Sequence, residues 1–206
     1  MIRKTSALAI LDFADIPAGL WAADAILKKA PIAFVQAGTV TNGRYLIVFG
    51  GSTASTAESL AEALEVSGNA IIDHTFLPDA HPALFDAAFG ARRKSSGSLL
   101  IIETETASSI VRAVEAALKG TPVELMEIRL ADAGLAGKGI ALMAGSLHDI
   151  EYAAILAAYG TGVDAPAPRG FSYRLIAAPH EIMEREVAAL TRFDAAPLLE
   201  LDGEIC

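Results

Sequence analysis

Ala7-Leu8-Ala9-Ile10-Leu11-Asp12, near the start of the chain, returns as Ser98-Leu99-Leu100-Ile101-Ile102-Glu103 at an offset of 91 residues. The same offset carries Ala22, Ala25, Leu27, Lys28 and Pro31 onto Ala113, Ala116, Leu118, Lys119 and Pro122. Farther on, Gly43-Arg44 meets Gly137-Lys138 and Gly51-Ser52 meets Gly145-Ser146 at an offset of 94, which places three extra residues between Pro122 and Gly137. Ala80-His81 answers Pro179-His180 near the end of each unit. Identities that hold one register across several elements mark a duplication, and a duplication decides the fold of the whole chain.

Each copy reads in one order. An apolar strand (7–13; 98–104) leads to helix-start signals, Asp15 with Pro17 in the first copy and Thr106 with Ser108 and Ser109 in the second. A helix to about Lys29 or Lys119 is followed by two strands, 32–38 and 44–50 or 123–130 and 138–144, joined by a glycine-bearing loop. A second helix follows Gly51 or Gly145, with Ser55-x-x-Glu58 as a capping box in the first copy. A short strand (Ala70-Ile71-Ile72-Asp73; Tyr173-Arg174-Leu175-Ile176) and a short helix close each unit. The expected fold is α/β (α+β), two tandem ferredoxin-like βαββαβ units over 5–91 and 97–190 with a tail over 191–206. Arg92-Arg93-Lys94-Ser95-Ser96-Gly97 reads as a solvated surface linker between them.

Composition narrows the function. A net charge of −9 argues against nucleic acid and anionic membrane as partners, and no stretch approaches the length of a membrane span. The single cysteine, Cys206, precludes an intramolecular disulfide, fits a reducing cytosol and reads as an inert thiol. With 53% hydrophobic residues, much apolar surface must be hidden in cores or between subunits. His74, His81, His148 and His180 accompany no nucleophile motif or carboxylate cluster, so no catalytic residue, metal site or cofactor is expected. Gly134-Leu135-Ala136-Gly137-Lys138 lacks the spacing of a phosphate loop, while Gly50-Gly51-Ser52-Thr53 could cradle an anion before its helix. Trp21 and Tyr45 read as packing residues, and Pro166-Ala167-Pro168-Arg169-Gly170 as a stiff turn.

The ordered combination of Ala7 to Asp12, Ala22-Ala23-Asp24-Ala25-Ile26-Leu27-Lys28, Thr41-Asn42-Gly43-Arg44-Tyr45 and the Pro-His element of each copy resembles the bacterial microcompartment shell domain. Both copies resemble its non-permuted form, which points to tandem shell proteins of the single-layer trimeric class. The resemblance implies a non-enzymatic homotrimer, a pseudohexameric tile in the shell of a cytoplasmic microcompartment, beside hexameric and pentameric shell proteins, with a central pore for small metabolites. It implies pore-lining roles for Thr41, Asn42, Gly43, Asp132, Ala133, Gly134 and Leu135, and tile-edge contacts for Lys28, Lys119, His81 and His180. Some trimeric relatives hold an iron–sulfur cluster through a cysteine at the position of Thr41, and a hydroxyl cannot replace that thiolate. The family's edge arginine is missing from both Pro78-Asp79-Ala80-His81 and Ala177-Ala178-Pro179-His180. The alternative reading is a ferredoxin-like trimeric regulator that binds a metabolite between subunits, which an effector would stabilise thermally.

Overall fold

The computed structural model describes residues 7–161 and 170–183. Cys206, the tail 191–206, the end of the second unit and residues 166–169 of the proline-rich turn lie outside the described residues.

The first unit runs β1 (Ala7–Phe13), α1 (Ile16–Lys29), β2 (Phe34–Val40), β3 (Arg44–Gly51), α2 (Thr53–Ser67), β4 (Ile71–Leu77) and α3 (Pro82–Ala88). The second runs β5 (Ser98–Thr104), α4 (Ala107–Gly120), β6 (Glu124–Leu130), β7 (Gly139–Gly145), α5 (Leu147–Gly160) and β8 (Phe171–Ile176). Each forms an antiparallel sheet, β2-β3-β1-β4 and β6-β7-β5-β8, which is the ferredoxin-like order. The helix starts follow the side chains that satisfy the first free N–H groups. Asp15 accepts from Ala18 N at 2.9 Å, and Thr106 and Ser109 form a reciprocal capping box.

Three sequence expectations need correction. Helix α2 starts a turn before the Ser55-x-x-Glu58 box, because Ser52 Oγ accepts from Ser55 N at 3.1 Å and so caps Thr53. Strand β4 runs four residues past Asp73, since its partner β1 continues the ladder to the Leu8–Leu77 pair. Trp21, expected to pack, stands 69% exposed on the single chain. Smaller shifts move β2 to 34–40 and start β8 at Phe171.

Register places the three extra residues of the second copy. Thr39 pairs with Tyr45 and Leu130 with Gly139, and those pairs are equivalent. The first hairpin therefore spans residues 40–44 where the second spans 131–138, and the whole insertion falls in that loop. A one-residue bulge at Met126 lies between Leu125 and Glu127.

All seven residues of β1 are buried, which explains why its sequence runs apolar from Ala7 to Leu11 rather than alternating. Ala9, Leu11 and Phe13 face α1 and α2 with Ala22, Ile26, Phe49 and Leu60. Leu8, Ile10, Leu46 and Val48 face the other way and join Ala107, Val111, Val114 and Leu118 of α4 in one continuous core. The second copy thus covers the outer face of the first copy's sheet.

That arrangement treats equivalent helices unequally. Helix α4 buries nine residues, whereas α1 buries only Gly19, Ala22 and Ile26. Leu20 and Leu27 are 55% and 58% exposed, while their counterparts Val111 and Leu118 are 0% and 7%.

Candidate functional site

The two hairpin loops lie side by side. Asn42 and Gly43 both have φ of 69°, the left-handed pair an Asn-Gly hairpin favours. The Thr41 hydroxyl reaches the carbonyls of Ala131 (3.1 Å) and Asp132 (3.2 Å) and accepts from Gly137 N (3.1 Å), so it clamps the short loop to the long one. Arg44 adds bonds to the carbonyls of Glu105 and Gly137, each at 3.3 Å. Buried Arg129 grips both oxygens of Asp132, the shortest at 2.6 Å, and donates to Ala133 O at 2.8 Å. Asn42, Gly43, Ala133 and Gly134 remain exposed at the tips, with Leu135 half-buried. A groove of about 1020 Å³ runs from there between β2 and β6, lined by Gln36, Thr41, Phe89, Ile128 and Asp132 among others.

Of the residues expected at a pore, Asn42, Gly43, Ala133 and Gly134 therefore offer backbone and small side chains outward. Thr41 and Asp132 spend their polar groups inside the loop pair. Ala136 sits at φ 51°, where a Cβ is strained. Ala136→Gly should raise unfolding stability by about 1 kcal/mol, read as the shift in a denaturant midpoint.

The joint between the copies is a built polar network around an apolar core. Asp12, at the end of β1, accepts from Ala107 N (3.2 Å) and Ser108 N (2.8 Å), so a side chain of one copy caps the first turn of α4 in the other. Asp73 takes both guanidinium nitrogens of Arg112 (3.0 and 2.9 Å) and the Thr106 hydroxyl (2.6 Å). Thr75 Oγ1 donates to Ser108 O at 2.8 Å. At the far end the Glu115 carboxylate accepts from His81 N at 2.9 Å and pairs with Lys119, which also donates to Asp79 O at 2.6 Å.

Burial pushes the Asp12 carboxyl above its ordinary value, outweighing the bonds from Ser108 and Ala107 that pull it down, and the Asp73 carboxylate adds to the rise. Below about pH 3.9, the ordinary Asp value, folded and unfolded chains both hold this proton. Between that value and the raised folded one, the unfolded chain has released its proton while the native state still holds it. Stability falls across that window. The fall should be absent from Asp12→Asn, as the difference between the two proteins' unfolding free energies from about pH 4 to pH 7.

The remaining site expectations fall at the helix ends. His81 Nδ1 accepts from Ala83 N (3.2 Å) to cap α3, and His180 Nδ1 accepts from Ile182 N (3.3 Å) in the same way. Lys28 pairs with Asp24 on the exposed face of α1 at 2.5 Å, whereas Lys119 is drawn into the joint. The solvated linker is exposed as expected, yet Arg93 N donates to Met126 O at 3.0 Å and Arg92 pairs with Glu127, which pins it to the second copy. Asp12, Asp73, Arg112 and Glu115 were not singled out from sequence. The available signal was an acidic residue ending an apolar strand in both copies, Asp12 and Glu103. Among the described residues no three His, Cys, Asp or Glu side chains converge as a metal site, and no helix is long and apolar enough to cross a membrane.

Comparison with known proteins agrees with this architecture. A BMC domain model matches residues 7–80 and again 98–163. A bacterial microcompartment shell protein from Citrobacter freundii, PduT, is 28% identical over 189 residues, covering 89% of this chain and 98% of its own. The crystal structure of a microcompartment protein from Desulfitobacterium hafniense superposes with a TM-score of 0.73 at 26% identity, over 88% of this chain and 99% of that one. A fused permuted hexameric shell protein of the RMM microcompartment shares the fold, with a TM-score of 0.58 at 20% identity over 78% of this chain and 86% of its own. With both of its sheets built in the same order and both matched in turn, the chain belongs to the BMC domain family as a tandem, two-domain member.

Proposed function

We propose that this protein is a structural subunit of a bacterial microcompartment shell, in which three chains close into a pseudohexameric ring and tile into a facet. The observation that carries the reading is the unequal burial of α1 and α4. Inside one chain, α4 of the second copy covers the outer face of the first copy's sheet. The equivalent helix α1 keeps Leu20, Trp21 and Leu27 exposed. A head-to-tail contact of this kind has a donor at one end of the chain and an acceptor at the other, and it closes when the repeated step completes a ring. Two copies per chain in three chains give six units.

The hairpin tips would line the central opening, with Asn42 and Gly43 alternating with the longer 131–137 loop around the axis. Their exposed backbone groups and small side chains suit passage of small polar metabolites. Thr41 and the Arg129–Asp132 pair act as braces that fix the loops in place. The outer helix ends would meet neighbouring hexameric tiles, and pentameric proteins would close the vertices. The role is non-enzymatic, and the location is the shell of a microcompartment inside the cell.

Electron microscopy of the purified protein, alone and co-expressed with a hexameric shell protein, tests this reading. The expected result is flat rings that enter shells. A stable monomer excluded from shells would overturn it.

A further inference from the structure

The contact inside the chain also specifies, residue by residue, the contact between chains. The first helices correspond at an offset of 91, and the last strands at an offset of 99, because Leu8 pairs with Leu77 and Leu99 with Ile176. Arg112 thus has Trp21 as its counterpart, while Asp73 and Thr75 have Ser172 and Arg174. Both sides of the joint change together. Within the chain a cation on the helix meets a carboxylate on the strand, through Arg112 and Asp73. In the second setting the helix offers an indole that is 69% exposed, and the strand offers a guanidinium on the exposed outer face of β8.

We propose that in the ring Trp21 of each protomer lies on β8 of the next, with its indole stacked on the partner's Arg174. This rests on the ring proposed above and goes beyond it by assigning the partner surface. A guanidinium over an indole face is the strongest common form of cation–π contact. The same transposition sets two flanking bonds. Asp24, the counterpart of Glu115, accepts from the backbone N–H of the partner's His180, and Lys28, the counterpart of Lys119, donates to the carbonyl of the partner's Ala178. Leu20 and Leu27 then cover the partner's Ile101 and Ile140, which are only partly buried in the single chain, whereas their counterparts Ile10 and Leu46 are 0% and 8% exposed.

The exchange of charge also enforces alternation. Pairing α4 with a second-copy sheet would set Arg112 against the partner's Arg174, two cations in one desolvated joint. Pairing α1 with a first-copy sheet would leave Asp73 facing an indole with no guanidinium. Both mismatches are repulsive elements of the kind that separate right partners from wrong ones.

Trp21 is the only tryptophan in the chain, so its fluorescence reports this joint alone. Mass in solution should be measured together with acrylamide quenching of Trp21. The expected result is a three-chain particle in which quenching is reduced several-fold relative to free N-acetyltryptophanamide. Arg174→Ala should raise the concentration at which the particle dissociates by about tenfold. Arg174→Lys should restore part of it, and Arg112→Ala should leave the Trp21 signal in place. Arg174 is exposed and Arg112 partly buried, so circular dichroism verifies folding of each variant. A three-chain particle whose Trp21 is quenched as readily as the free indole, or one indifferent to Arg174→Ala, overturns the pairing and leaves the ring intact. A monomer overturns the ring and the pairing together.

Discussion

Asp12→Ala should lower the free energy of unfolding by about 2–4 kcal/mol at about pH 5, measured by denaturant titration at fixed protein concentration. The carboxylate is 2% exposed, and its two acceptor bonds satisfy Ala107 N and Ser108 N, the free donors of the first turn of α4. Removing it leaves both N–H groups without an acceptor in a buried site, and each orphan costs about 1–3 kcal/mol. Asp12→Asn keeps one acceptor and should fall between wild type and Asp12→Ala. Glu103, the counterpart in the second copy, provides the contrast. Its carboxylate is 42% exposed and paired with Lys138 at 2.7 Å, so Glu103→Ala should change the stability of the single chain by no more than about 0.5 kcal/mol. Equal effects at the two positions would contradict the view that only the first-copy sheet is capped within the chain.

Leu20→Asp combined with Leu27→Asp should convert a three-chain particle into a folded single chain. Both side chains are more than half exposed on the isolated chain, where surface substitutions change stability by about 0.5 kcal/mol or less. In the ring the same positions match Val111 and Leu118, which lie in the continuous core with Leu8 and Ile10. Two unpaired carboxylates there, repeated at three joints, outweigh what apolar contact offers. Light scattering reads the mass, and circular dichroism shows that the secondary structure survives. The matching change inside the chain, Val111→Asp, should instead unfold the protein, because that joint cannot separate without exposing the core.

Much of the fold was legible because the duplication is local and repeated. The order of elements, the caps at Asp15 and Thr106, the Asn-Gly hairpin and the longer second loop all follow from short-range chemistry that a sequence displays directly. What escaped depends on partners distant in the chain. Strand β4 continues to Leu77 because β1 continues opposite it, and residues 74–77 carry no strand pattern strong enough to show this alone. Helix α2 starts after Gly51 as expected, but its cap is Ser52 rather than Ser55, because both are competent caps and only the backbone path after Gly51 chooses between them.

The site was legible in part. Asn42, Gly43, Ala133 and Gly134 are where small turn residues suggested, at the exposed tips. The polar joint of Asp12, Asp73, Arg112 and Glu115 escaped because each member's partner in the other copy lies 33 or more residues away, and no spacing rule connects the two copies. Trp21 was read as a packing residue from its chemistry, and a single chain leaves it bare. Comparing the copies explains why. Leu20, Trp21 and Leu27 on one helix answer Val111, Arg112 and Leu118 on the other, so the face is built to be covered. In the proposed ring, the cover belongs to another chain.

In the proposed assembly, the head-to-tail step inside the chain is repeated between chains until a ring closes. A three-dimensional reconstruction of the purified particle by electron cryomicroscopy tests it most directly. The expected map shows three chains in a flat ring of six similar units, with α1 of each chain seated on the sheet of the next and the 41–43 and 131–137 loops facing the axis. A particle of one chain at every concentration, or a ring with those loops at its perimeter, would contradict the account.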